Sequence, residues 1–109
     1  MISVRLKKSP EGTVRGFCVT GHAGQAPRGE DIVCAGVSAV VQTALIGLDE
    51  VADVCGTYTI DEGGIQCTLP EEMTQATAFC VQTILKTMAL GLVSIAEQYP
   101  EYVRIKEEA

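Results

Sequence analysis

His22 and Cys34 are the two residues of this 109-residue chain whose types and spacing suit acyl-transfer chemistry. A cysteine thiol is a poor nucleophile at neutral pH until something favours its thiolate. Two devices do so: the partial positive charge at the start of a helix and an imidazole within hydrogen-bond reach. His22 is the only histidine, and it stands twelve residues before Cys34 across a glycine-rich stretch, GHAGQAPRGEDIVCAGVS. Asp31 reads as a helix N-cap, which makes Cys34 the third helical residue. Its negative charge opposes a thiolate, so that charge is either spent on the cap or used to orient His22. Ser38 lies one turn after Cys34 on the same helical face. It is placed to bond near the site or to satisfy a backbone carbonyl. Plain readings exist for both main residues: Cys34 as a buried helix thiol like Cys80, and His22 as a residue that closes a strand.

The other cysteines, Cys18, Cys55, Cys67 and Cys80, show no charged neighbourhood in sequence and read as structural. An odd count without a CxxC pair indicates neither a disulfide framework nor a zinc knuckle, so no metal or cofactor is expected. Buried thiols of this kind suit a reducing cytoplasm. MISVRLKKSP lacks the apolar run of a signal peptide. The longest apolar stretch is broken by Gln82, Lys86 and Thr87, which argues against a membrane span. A net charge of −6 argues against a sequence-independent grip on nucleic acid and is compatible with a basic protein or peptide as partner. Asp49, Glu50 and Asp53 read as a solvated helix end.

The elements that must position His22 and Cys34 follow from hydrophobic period. Residues 2–8 alternate as a half-buried strand. Ser9-Pro10-Glu11-Gly12 is a turn, and Val14 to Gly21 is a second strand, completing a hairpin. A loop over 23–30, broken by Gly24, Pro27 and Gly29, is long enough to be functional. A helix spans Ile32 to Val51, with Val33, Val37, Val40, Ala44, Leu48 and Val51 as its apolar stripe. A second hairpin covers 55–61 and 64–69 through Glu62-Gly63-Gly64. A second helix begins after Pro70 with Glu71 and Glu72 in its first turn and runs to Gln98. Its stripe, Met73, Ala76, Cys80, Ile84, Met88 and Ile95, widened by Val81, Leu85 and Leu92, predicts burial on most sides. A last strand covers 102–106. The expectation is one domain over 1–109. Its order is β-β-α-β-β-α-β, an α+β fold with two helices on a mostly antiparallel sheet. The repeated hairpin-helix unit suggests a doubled architecture. The strand order is not readable.

The GHAG element and the later G-E-DIVCAGVSA resemble the ribosomal-processing cysteine protease family, Prp, and the resemblance extends along the whole chain. It implies a catalytic dyad of His22 and Cys34; on the residues themselves Asp31 and Ser38 are supporting candidates, and Gly21, Gly24 and Gly29 belong to a substrate loop. It further implies a cytoplasmic, homodimeric endopeptidase. The implied substrate is the N-terminal extension of large-ribosomal-subunit protein twenty-seven, cut between an aromatic and a small residue. No membrane and no direct nucleic acid partner are expected. Two rival readings remain at this level: a non-enzymatic ribosome-associated peptide-binding module, and a thiol-based sensor.

Overall fold

A computed structural model describes residues 1–21, 31–55 and 57–109. Strand β1 (Ile2–Lys8) and strand β2 (Val14–Thr20) form the first hairpin. Its turn is closed by Ser9 N–H donating to the Thr13 carbonyl at 2.9 Å. Strands β3 (Tyr58–Asp61) and β4 (Gly64–Thr68) form the second. The two hairpins meet antiparallel along β2 and β4, which agrees with the doubled architecture. Strand β5 (Val103–Glu108) joins β1 in parallel, giving the sheet order β3-β4-β2-β1-β5. The α+β class and the element order are as the sequence indicates.

Helix α1 (Ile32–Glu50) and helix α2 (Gln75–Gln98) cover one face of this sheet. Ile2, Val4, Leu6, Phe17 and Val103 of the sheet form one buried cluster with Val33, Val41, Leu48, Leu85 and Leu92 of the helices. Truncating a wholly buried leucine such as Leu48 to alanine costs about 2–5 kcal/mol. The α1 stripe is buried as expected at Val33, Val37, Ala44 and Leu48 and is wider than its expected pattern. Val41 and Leu45 are buried, while Val40 lies at the rim and Val51, the C-cap residue, is exposed. The reason is the second helix. Val40 reaches toward Gly91 of α2, where an added Cβ would meet it at 3.4 Å, so part of α1's apolar side faces α2 rather than the sheet.

Three boundaries differ from the sequence reading by two residues or more. Strand β3 starts at Tyr58 rather than Cys55 because the preceding chain wraps the end of α1. Ala52 N–H donates to the Gly47 carbonyl and Val54 N–H to the Leu48 carbonyl, with Asp53 in the left-handed region at φ 57. Helix α2 starts at Gln75, so Glu71 and Glu72 precede it. Leu69 is still held to β2 by its N–H on the Arg15 carbonyl, and Thr74 supplies the cap. Strand β5 runs on to Glu108, past the expected end at 106.

Nor is α2 buried on most sides. Val81, Leu85, Met88 and Leu92 are buried, but Phe79, Leu90 and Val93 are exposed. Both helices are long and apolar enough by composition to cross a membrane. Here each sets one side against the protein core and leaves the other partly apolar and open.

Candidate active site

The first turn of α1 is built around Asp31. Its backbone is extended, at φ −80 and ψ 99, and its side chain caps the helix. Oδ1 accepts from the backbone N–H groups of Val33 and Cys34, both at 3.0 Å. These are donors that a helix start leaves without an internal partner. Cys34 is thereby fixed at the third helical position, as the spacing predicts. Its side chain is half-buried and packs against the core.

The same cap brings a carboxylate to the sulfur. Cys34 Sγ donates to Asp31 Oδ2 at 3.4 Å. One oxygen of Asp31 is thus spent on the backbone, while the other faces the thiol. The helix start favours a thiolate, and a carboxylate oxygen at this distance favours the protonated S–H. The D-x-x-C spacing carried this signal, because a cap side chain lies over the third residue of its own helix.

Of the remaining predicted residues, Ser38 accepts from Gln42 Nε2 at 2.7 Å, an i to i+4 contact on the helix surface. Its hydroxyl is thus tied one turn further along α1. Gly21 closes β2 at φ +86, and a Cβ there would lie 2.3 Å from the Met1 carbonyl oxygen. Only glycine fits that close approach without a shift, which gives Gly21 a structural reason of its own. His22, Gly24, Gly29 and the 23–30 loop lie outside the described residues. Gly21 and Asp31 bracket them.

The other four thiols sit differently. Cys67 is buried, and burial pushes its thiol up. Cys55 is exposed, and desolvation raises it, with the carboxylates of Asp49, Asp53 and Glu50 adding to the effect. This acidic surround corrects the expectation that Cys55 lacks charged neighbours: the wrap after α1 brings it back over Asp49, whose carbonyl its thiol reaches at 3.8 Å. Cys18 and Cys80 are half-buried. Among the described residues no group of three or more His, Cys, Asp or Glu side chains could hold a metal ion.

Residues 1–104 match the family model described as cysteine protease Prp. The chain belongs to the Prp cysteine protease family. A ribosomal processing cysteine protease Prp of Staphylococcus aureus is 38% identical over 109 residues, covering 96% of this chain and 97% of that protein. The Prp of Bacillus subtilis is 30% identical over 107 residues, covering 96% of each. A crystal structure of the S. aureus protease Prp with a covalently linked product peptide superposes with a TM-score of 0.89. It is 29% identical in that comparison and covers 99% of this chain and all of its own. The Prp fold is therefore present over nearly the whole sequence, with Cys34 at the first helix start.

Proposed function

We propose that this protein is a cytoplasmic endopeptidase that removes the N-terminal extension of large-ribosomal-subunit protein twenty-seven, with Cys34 as nucleophile and His22 as general base and acid. The observation that carries the reading is the placement of Cys34: a thiol in a capped first helical turn, in a chain similar end to end to a Prp solved with a peptide covalently attached. In this scheme His22 takes the Cys34 proton from the Asp31 carboxylate's grip. The thiolate attacks the scissile carbonyl, and His22 returns the proton to the leaving amine. Water then releases the acyl group. The backbone N–H groups of the α1 first turn are partly committed to Asp31, so an oxyanion hole needs at least one donor from elsewhere.

We also propose that the protein works as a homodimer joined through the outer side of its helices. Phe79, Leu90 and Ile46 are 76%, 70% and 61% exposed there. They flank a groove of small and apolar residues, including Ala39, Thr43, Gly47, Thr83 and Thr87. Exposed apolar area of this kind marks association surfaces.

Incubation with a peptide carrying an aromatic–alanine junction, followed by mass measurement, tests the activity. Fragments from the wild type and none from Cys34→Ser are expected. An intact peptide with folded wild-type protein counts against the protease, and equal peptide retention by both chains without cleavage favours a binding module. Sedimentation of the wild type against Phe79→Asp tests the dimer.

A further inference from the structure

The sheet face turned away from the helices holds half of the chain's cations. In the parallel ladder Ser3 lies beside Arg104, Arg5 beside Lys106 and Lys7 beside Glu108. The residues that alternate with them, Ile2, Val4, Leu6 and Val103, are buried on the helix side. Residues opposite each other across a ladder project from the same face. Arg104, Lys106, Arg5 and Lys7 therefore share the open face, and all four are exposed. They form a diagonal band across three rows, about 13 Å long at the strand rise. The chain has eight Lys and Arg in all.

Among the described residues the carboxylate in the band is Glu108, which accepts from Arg5 Nε at 2.7 Å. Farther across the same rows β2 and β4 contribute the uncharged Thr20, Cys18, Gln66 and Thr68, and Asp61 lies at the far edge on β3. The band thus has a formal charge of +3 within a chain of net −6. Glu107, the neighbour of Lys106 along β5, alternates to the other side of the strand and pairs with Lys8 at 2.9 Å.

Fold stability accounts for part of this arrangement, since Glu108 ties Arg5 across to β5. Lysines on an edge strand discourage edge pairing, which covers β5. It does not cover Arg5 and Lys7, because β1 lies between β2 and β5. Like charges directly opposite in a ladder are destabilising, and Arg5 beside Lys106 is such a pair. Glu108 offsets part of that cost, and a polyanion laid over the band would offset more.

We propose that this open face of β1 and β5 binds the phosphate backbone of RNA. Cations flanked by Ser3, Thr20, Gln66 and Thr68 suit phosphate and sugar oxygens. Among the described residues the face offers no aromatic side chain on which a base would stack, so binding is sequence-independent and electrostatic. The choice of RNA over an acidic peptide rests on the ribosomal setting of the Prp family. The expectation of no nucleic acid partner drew on net charge, which averages two unlike faces.

The test is anisotropy of a labelled RNA of roughly 20 nucleotides, with the full chain and Arg104→Gln/Lys106→Gln, from about 50 mM salt upward. Four backbone contacts predict a slope of log affinity on log salt of roughly −3, and the variant brings it to about −1.5. At the lowest salt the variant should bind at least tenfold more weakly, on the order of the counterion effect of two contacts. Cleavage of a free peptide should be unchanged, since neither residue belongs to the site. Circular dichroism checks the variant's fold, and Arg104→Lys/Lys106→Arg should restore binding. Absence of RNA binding by the wild type, equal binding by the variant, or equal displacement by poly-glutamate overturns the proposal. Because cleavage and RNA binding are read separately, failure of one leaves the other distinguishable.

Discussion

The two helices of this fold begin alike and do different things. Each is capped by a short polar side chain after a hairpin: Asp31 for α1 and Thr74 for α2. Asp31 takes two backbone donors and faces a thiol, whereas the Thr74 hydroxyl takes only Thr77 N–H, at 3.2 Å, and lies beside another hydroxyl. Cys34 and Thr77 occupy the same third position of their helices. A helix start therefore supplies a field, and the residue at its third position decides whether that field acts on chemistry.

The largest expected effect tests that asymmetry directly. Cys34→Ala should lower peptide turnover by a factor on the order of 10⁴ or more, while Thr77→Ala should leave it within about twofold, as a surface change remote from the reacting atoms. Comparable losses in both variants would break the distinction between the two helix starts.

Next in size is thiol reactivity. Asp31→Asn keeps a capping oxygen but removes the charge beside the sulfur, so iodoacetamide should label Cys34 several-fold faster at neutral pH. Thr74→Ala should not change the rate. Slower labelling in Asp31→Asn would mean that Asp31 assists ionisation rather than holding the proton.

Stability gives a third, smaller contrast. Thr74→Ala and Asp31→Ala should each cost about 1 kcal/mol in denaturant melts. Asp31→Asn should cost much less, because Asn caps as well as Asp.

The smallest effect lies at the far end of α1, where Tyr58 Oη donates to Asp49 Oδ2 at 2.7 Å. This hydrogen bond, helped by desolvation and the Asp49 charge, raises the Tyr58 phenol above its ordinary value. The fold therefore favours the neutral phenol. Its contribution is whole below the unfolded tyrosine value of about 10 and is lost as pH rises through the higher folded value. The melting difference between wild type and Tyr58→Phe should shrink over that alkaline window, and a difference constant with pH would refute the linkage.

Much of the site's frame was legible in the chain because capping and alternation act over a few residues. Asp31 as cap and Cys34 as third helical residue follow from a D-x-x-C spacing alone. Both hairpins follow from alternation and turn residues. The start of α2 was misplaced because Pro70 and two glutamates imitate a first turn, while Leu69 remains tied to β2 by a hydrogen bond spanning more than fifty residues of sequence. The acidic surround of Cys55 was legible only in part: Asp53 stands two residues away in the chain, while Asp49 and Glu50 come near through the fold back over α1.

By itself the sequence determined the element types and their order, the Prp kinship, and the one cysteine set in a capped first turn. Those properties are encoded in neighbouring residues, whose backbone geometry and hydrogen bonds close locally. The tertiary structure alone decided that β5 lies parallel to β1, that α1 turns Val41 and Leu45 inward, and that four cations gather on one open face. These depend on burial and pairing between segments as much as a hundred residues apart, and no local pattern specifies which distant strand satisfies an exposed edge.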